Sequence, residues 1–343
     1  DGLGDRSYSD FNHQTPLQAA FTPALDRMAA AGANGLYHAA RVGLALPSEN
    51  AHFALFGYDQ ADFPGRGALE ALGAGVQLSE KDVALLVHFS SVEINDGRLF
   101  LRRNTPPATA GEIRELIPLI AHFRWEDIDL TFHPIKGLFG VLVMRGDVSP
   151  FITDTNPMRD CVPVMELMPW ETHAGDTAAV RTAKALKSYL IRSHEILDAH
   201  PLNRTRCEAN LPPINGLVTQ RAGRLKKISP FSERFGLKGL SIASGVVFAG
   251  LSTCLGLDFM KVSDSDDPEC DLAERLTMAE AALASHDFIH IHTKAPDEAA
   301  HTKNPPAKKQ VIEALDRALS RKIDGFLNHP DILAVVTSDH STP

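Results

Sequence analysis

The sequence has few cysteines, no excess of basic residues and no long apolar run. The four cysteines among 343 residues include no C-x-x-C pair, which excludes a disulfide scaffold and predicts reduced thiols in the cytoplasm. The formal net charge is −9, so the chain lacks the excess of basic residues that is typical of nucleic-acid binding. No stretch approaches the roughly 18 apolar residues of a membrane span. We therefore expect a cytoplasmic protein that acts on a small molecule, without nucleic-acid or membrane partners; the pattern leaves the oligomeric state open.

Apolar, β-rich runs alternate with helical patterns along much of the chain. Such alternation predicts an α/β fold whose mainly parallel sheet is flanked by helices. Strands are predicted over residues 238–247, 287–293 and 332–337, and helices over 22–32, 271–285 and 307–327.

The middle of the chain has a different texture, with strand-like segments, proline-rich turns and one long helical pattern over residues 176–197. This change predicts a smaller α/β domain, residues 79–225, inserted into a core formed by residues 1–78 and 226–343. The chain opens on an acidic loop and closes directly after an apolar run, so we also expect further chain at each end.

Two short motifs follow predicted strands near the end of the chain. Asp297 and His301 are four residues apart, so they can converge on one cation if the segment is helical. Asp339 and His340 follow the run 332–337, where adjacent side chains can serve two metals. Taken singly, each motif also fits a structural interpretation: a helix-capping Asp with a surface His, or a polar turn.

Two further segments carry candidate groups nearer the start. Asp1 opens an acidic, glycine-containing turn in which the backbone can come close to an ion. Ser48 follows a proline and opens a predicted helix, where backbone amides could hold a phosphate; the alternative is an ordinary N-cap. Together, a hydroxyl, three carboxylates and two histidines on four loops fit a two-metal phosphoryl-transfer site. Mixed oxygen and imidazole ligands favour Mn²⁺ or Zn²⁺.

Several strings resemble the archaeal-type cofactor-independent phosphoglycerate mutases of the alkaline phosphatase superfamily, in the order that this family has them. They span nearly the whole chain and comprise D-G-L-G-D-R (1–6), T-P-L-Q-A-A (15–20), P-S-E (47–49), L-F-G-Y-D (55–59), G-R-G-A-L-E-A (65–71) and T-S-D-H-S-T-P (337–343). The resemblance implies an alkaline-phosphatase-like core with an inserted substrate domain.

Carried over residue by residue, the resemblance assigns metal ligands. It makes Asp297 and His301 ligands of one divalent ion, and Asp1, Asp339 and His340 ligands of the other. Ser48 would be the phosphorylated nucleophile and would also contact the second ion. Mn²⁺ is favoured, with Zn²⁺, Mg²⁺ and Co²⁺ as alternatives, and no 2,3-bisphosphoglycerate is needed. A last His ligand of the first ion is expected beyond Pro343.

The substrate side of the resemblance is less complete. Arg221 and Arg224 resemble arginines that hold the phosphate and carboxylate of the substrate, a task suited to the planar guanidinium, although two solvated arginines would look the same. Asp154 begins a string that resembles a substrate-binding motif. Departures from the family pattern, which leave the exact substrate open, are Leu86, Phe139, Asn156 and Met158.

The resemblance implies an isomerase of glycolysis and gluconeogenesis that interconverts 3- and 2-phosphoglycerate through a phosphoserine. Because substrate-side residues depart from the pattern, a phosphatase or phosphotransferase acting on another small phosphoester or phosphonate is an alternative. A catalytically inactive metal-binding homologue is a second alternative, against which the presence of Ser48 argues.

Overall fold

The computed structural model describes residues 1–95 and 98–343. Its helices are α1 (Pro16–Ala19), α2 (Pro23–Ala31), α3 (Ser48–Leu55), α4 (Arg66–Gly73), α5 (Ala110–Ile120), α6 (Thr177–Asp198), α7 (Pro201–Glu208), α8 (Phe231–Phe235), α9 (Val246–Leu255), α10 (Pro268–Ala282), α11 (Ala295–His301), α12 (Pro305–Ser320) and α13 (Ile323–Leu327). Its strands are β1 (Val83–Asn95), β2 (Arg98–Arg103), β3 (His122–Trp125), β4 (Ile128–Lys136), β5 (Phe139–Arg145), β6 (Val162–Pro163), β7 (Gly216–Gly223), β8 (Gly239–Ala243), β9 (Asp258–Lys261) and β10 (Phe288–Ile291). No helix among the described residues is both long and apolar enough to cross a membrane.

The chain forms two compact units. The split unit contains Asp1–Phe63 and Ile228–Pro343, and the continuous unit contains Pro64–Lys227. The sequence placed the joins after residues 78 and 225, and its division into a metal-binding core and a substrate domain stays a prediction.

The continuous unit is built on an antiparallel sheet of seven strands in the order β3-β4-β5-β1-β2-β6, with β7 also paired to β1. Alternate strand residues such as Leu85 and Leu142 pack against α5 and α6 to form the main core of this unit. The long helix predicted over residues 176–197 is confirmed as α6, whose N-cap Asp176 accepts a hydrogen bond from the Ala178 amide.

The prediction of a mainly parallel sheet is not met, because all pairings in this larger sheet are antiparallel. The antiparallel pairing follows from the short connections between strands. Only Glu126 and Asp127 separate β3 from β4, and only Gly137 and Leu138 separate β4 from β5. Two-residue links can join only antiparallel neighbours, whereas a parallel pair needs a long crossover. Positive φ angles at Glu126 and Gly137 suit such tight turns.

The split unit contains the parallel part of the fold, a three-stranded sheet in the order β10-β8-β9. Helix α9 connects β8 to β9, and α10 connects β9 to β10, as parallel neighbours require. The two predicted strands of this sheet are confirmed in shortened form as β8 and β10. The carboxyl end of β10 leads through residues 292–294 into α11, and the candidate residues of this unit gather there.

Two other predictions need correction. The predicted buried strand 332–337 has no ladder partner among the described strands, and Leu333 is 88% exposed. Apolar, β-branched composition favours a strand only where a free sheet edge pairs with it, and this run pairs with none. The predicted helix 307–327 is two helices, α12 and α13, separated at Arg321 and Lys322.

Candidate active site

Three predicted ligands come together in the split unit. Asp1, Asp339 and His340 each offer an atom within 4.8 Å of the others. The imidazole Nε2 of His340 lies 3.2 Å from Asp1 Oδ1 and 3.0 Å from Asp339 Oδ2. Two carboxylates therefore face one imidazole nitrogen, although more than 330 residues separate Asp1 from the other two.

The Ser48 hydroxyl occupies the same place. Ser48 is the first residue of α3, after Pro47, as predicted. Its Oγ donates a hydrogen bond to Asp1 Oδ1 at 3.2 Å and lies 2.8 Å from His340 Nε2. The helix start thus places a potential nucleophile against the carboxylate–imidazole cluster, with the first-turn amides of α3 beside it.

Backbone contacts fix the loop that carries Asp1. The Asp1 backbone nitrogen donates to the Thr293 carbonyl oxygen at 2.8 Å, just beyond β10. The Gly2 amide donates to Asp339 Oδ1 at 2.9 Å. Gly2 has φ +62°, and a Cβ at this position would lie 2.7 Å from Asp297 Oδ1. Only glycine lets the backbone pass this close in that conformation.

Asp297 and His301 form the second branch of the site. Both lie on the predicted helical turn, α11, and His301 Nε2 is 3.2 Å from Asp297 Oδ2. Thr342 connects the branches, because its Oγ1 donates to Asp297 Oδ1 at 2.7 Å and lies 3.0 Å from His340 Nδ1. The His301 side chain is 67% exposed. This pair therefore supplies a carboxylate and an open imidazole next to the first cluster.

The electrostatics of the first cluster suit a cation. Burial opposes ionisation of Asp339, but its close contact with His340 and the hydrogen bond from the Gly2 amide hold its pKa well below the usual range. The same contact with Asp339 raises the pKa of His340. Close carboxylates repel each other unless a positive charge lies between them. A divalent ion can supply that charge, and it binds imidazole in the neutral form.

One oxygen of the Asp339 carboxylate also lacks a well-formed hydrogen bond. Its Oδ1 accepts from Gly2, whereas no donor among the described residues makes a well-formed hydrogen bond to the buried Oδ2. The contact of Oδ2 with His340 Nε2 is close enough for an ion pair but poorly directed. A buried acceptor of this kind is costly unless something binds it. The residues present therefore fit a metal bound by Asp1, Ser48, Asp339 and His340.

Sequence reasoning missed a group of buried histidines behind these residues. The rings of His52 and His292 lie 5.0 Å apart, and His290 lies 5.6 Å from His52. His292 Nε2 is 3.5 Å from Asp1 Oδ2. Burial lowers the pKa of His52 to about 4 and that of His290 to about 3. The available signal was the His-x-His spacing at the carboxyl end of β10, where extended backbone places alternate side chains on one face.

The predicted substrate residues lie in the continuous unit. Asp154 Oδ1 accepts a hydrogen bond from the Arg221 amide at 2.7 Å, and burial raises the pKa of Asp154. Arg221 itself has φ +59°. The Arg224 guanidinium donates to the Val148 carbonyl oxygen, and burial lowers the pKa of Arg224. At least part of Arg224 thus has a structural role within its unit, and the substrate roles of all three residues stay predictions.

The departures from the family pattern also lie in this unit. Leu86 faces Gln220 across the β1–β7 ladder, and Phe139 faces His88 at the start of β5. The Asn156 side chain accepts from the Met158 amide in a local turn. These residues have structural partners, and none of them adds a cation.

Comparison with known proteins gives one consistent family. The family model described as 2,3-bisphosphoglycerate-independent phosphoglycerate mutase matches residues 29–203. A relative of that name from Methanopyrus kandleri is 36% identical over 354 residues, covering 100% of this chain and 82% of the relative. A second, from Methanocaldococcus jannaschii, is 35% identical and is covered over 79% of its length by the whole of this chain.

Solved structures agree. The structure of a Pyrococcus horikoshii protein has a TM-score of 0.78 at 26% identity, with 100% of this chain and 81% of that chain covered. A cofactor-independent phosphoglycerate mutase from Thermoplasma acidophilum has a TM-score of 0.62 at 31% identity, with 94% and 81% covered. The mixed α/β fold is thus the fold of these proteins.

We expect Asp339→Asn to weaken Mn²⁺ binding, because it removes a formal charge beside the cation site. Changes to residues that only orient a ligand cost about 10–100-fold in metal affinity, so the loss here should exceed about a hundredfold. Isothermal titration calorimetry on metal-free protein measures it. Asp331→Asn, on an exposed residue of the same terminal segment, is the matched control. Equal Mn²⁺ affinity in Asp339→Asn and wild type would exclude Asp339 as a ligand.

Proposed function

Because the chain belongs to the 2,3-bisphosphoglycerate-independent phosphoglycerate mutases, we propose that it interconverts 3-phosphoglycerate and 2-phosphoglycerate through a phosphorylated Ser48. The observation that carries the proposal is the position of the Ser48 hydroxyl, which is in contact with both Asp1 and His340. The names of the relatives favour this isomerase activity over the phosphatase and the inactive homologue that the sequence left open. A cytoplasmic location stays a prediction.

Two divalent ions, with Mn²⁺ favoured, are part of the proposal. Asp1, Ser48, Asp339 and His340 would hold one ion, and Asp297 and His301 would contribute to the other. Bound there, the ions would lower the pKa of the serine hydroxyl and neutralise charge on the transferring phosphoryl group. Carboxylate oxygens with imidazole nitrogens suit Mn²⁺ and Zn²⁺, and Mg²⁺ and Co²⁺ remain alternatives.

The proposed reaction consists of two phosphoryl transfers, one to Ser48 and one from it. Ser48 Oγ attacks the substrate phosphorus, the bond from phosphorus to the glycerate oxygen breaks, and that oxygen takes up a proton as Oγ loses one. Asp1 Oδ1 already accepts the hydrogen bond from Ser48, so it is in place to accept that proton. After glycerate reorients, its other hydroxyl attacks phospho-Ser48 and the serine is restored.

The continuous unit would hold glycerate between the two transfers. Arg221 and Arg224 are the candidates for its carboxylate and phosphate, because guanidinium groups bind both bidentately. Asp154, whose Oδ1 accepts from the Arg221 amide, would keep this turn in place. A mutase must keep glycerate bound between the two transfers, whereas a phosphatase can release the dephosphorylated alcohol after the first.

We expect Ser48→Ala to lower interconversion of the two phosphoglycerates by about a thousandfold or more, as loss of a nucleophile does. Mn²⁺ binding should persist, because the change removes only a weak ligand. The coupled enolase assay measures activity, and calorimetry measures Mn²⁺ binding. Ser232→Ala, on an exposed serine of the same unit, is the control. Near-wild-type turnover by Ser48→Ala, or full wild-type turnover in excess chelator, would contradict the proposal.

A second experiment tests the carboxylate role of Arg224. Arg224→Ala should lower interconversion of phosphoglycerates far more than hydrolysis of an aryl phosphate that has no carboxylate. A lost charge-assisted contact of about 2 kcal/mol corresponds to about thirtyfold in rate. Arg192→Ala, on an exposed arginine of the same unit, controls for loss of surface charge. Equal losses on both substrates would exclude the carboxylate role of Arg224.

A further inference from the structure

A buried lysine joins the segment that carries Asp1 to the segment that carries Asp339 and His340. Lys308 lies on α12, and its side chain is fully buried. Its Nζ donates to the Gly4 carbonyl oxygen and to Asp5 Oδ2, each at 2.9 Å, and to the Thr342 carbonyl oxygen at 3.0 Å. All three protons of the ammonium group are used.

The three acceptors belong to two segments of the chain that are distant in sequence. Gly4 and Asp5 lie shortly after Asp1, and Thr342 lies shortly after Asp339 and His340. The Thr342 amide also donates to the Gly4 carbonyl oxygen at 3.0 Å, so Lys308 completes a junction in which the two backbones already touch. Thr342 in turn reaches Asp297 through its hydroxyl group.

The position of this lysine is electrostatically unfavourable in two respects. Lys308 lies in the N-terminal part of α12, where the helix dipole disfavours a cation. Removal of an ammonium group from water costs several kcal/mol before its contacts compensate for it. Asp5 provides the neutralising charge, and its other oxygen accepts from the Tyr8 hydroxyl at 3.0 Å and the Arg6 amide at 2.7 Å. The junction is therefore fully hydrogen-bonded and specific to one geometry.

We propose that Lys308 is a positioning residue that sets the distance between Asp1 and the Asp339–His340 pair, and thereby the affinity of the site for its divalent ion. Lys308 does not contact the candidate ligands; it acts through Gly4, Asp5 and Thr342. Outer groups of this kind commonly change metal affinity about 10–100-fold when they are removed. The inference rests on the metal site of the proposed function.

The direction of the change in Mn²⁺ affinity shows whether Lys308 acts through its contacts or through its charge. Removal of the Lys308 ammonium group makes the surroundings of the site more negative by one unit, so Coulomb attraction alone would strengthen cation binding. Loss of position predicts the opposite change. The double variant with Lys308→Met and Asp5→Asn removes one charge of each sign and leaves no lone buried carboxylate, so it tests position with the net charge unchanged and protects the fold.

The experiment is a titration of metal-free protein with MnCl₂, followed by calorimetry, for wild type, Lys308→Met, the double variant and Lys309→Met. Lys309 is the matched control: it is the next residue of α12 and binds Glu313 at 2.6 Å at the surface. We expect Mn²⁺ affinity to fall about 10–100-fold in Lys308→Met and in the double variant, and to change less than twofold in Lys309→Met.

Wild-type or tighter Mn²⁺ binding by the double variant would overturn the role of Lys308 and leave the proposed function intact. Wild-type protein that binds no Mn²⁺ at all would overturn the metal site itself, and with it both proposals. If Lys308→Met does not fold, the double variant alone decides. Recovery of interconversion by the double variant at high MnCl₂ would support the positioning role, since it shows that the reacting groups are intact.

Discussion

The central interaction of the candidate site is the close approach of two carboxylates, Asp1 and Asp339, to the imidazole of His340. Asp339 is 8% exposed and ionises easily despite its burial. Like charges this close need an opposite charge nearby. His340 supplies part of it, and the remainder fits a divalent cation. The Ser48 hydroxyl lies where such a cation could activate it.

The fold serves this cluster by bringing distant loops to one edge of a small parallel sheet. Thr293, in the loop after β10, accepts a hydrogen bond from the Asp1 backbone nitrogen, and Lys308 of α12 donates one to the Gly4 carbonyl oxygen. Helix α3 presents Ser48 at its first residue. Parallel sheets generally gather binding groups at the carboxyl ends of their strands, because every strand ends there in a loop.

The elements that the sequence predicted well are those with strong local signals. The helices predicted over residues 22–32 and 176–197 and at Ser48 are α2, α6 and α3, and the Asp297-x-x-x-His301 spacing fits the helical turn that α11 provides. The antiparallel sheet and the unpaired run 332–337 were not predicted, since strand pairing depends on partners elsewhere in the chain. The histidines behind Asp1 and the Lys308 junction were also missed. Their meaning comes from tertiary contacts across some 300 residues, which periodicity does not encode.

The most direct test of this account is anomalous diffraction from crystals of the protein soaked with Mn²⁺, with data collected above and below the manganese absorption edge. The account predicts an anomalous peak within bonding distance of Asp1, Asp339, His340 and the Ser48 hydroxyl. An electron-density map in which these four residues bind no ion at saturating Mn²⁺, or in which the ion lies elsewhere, would contradict it.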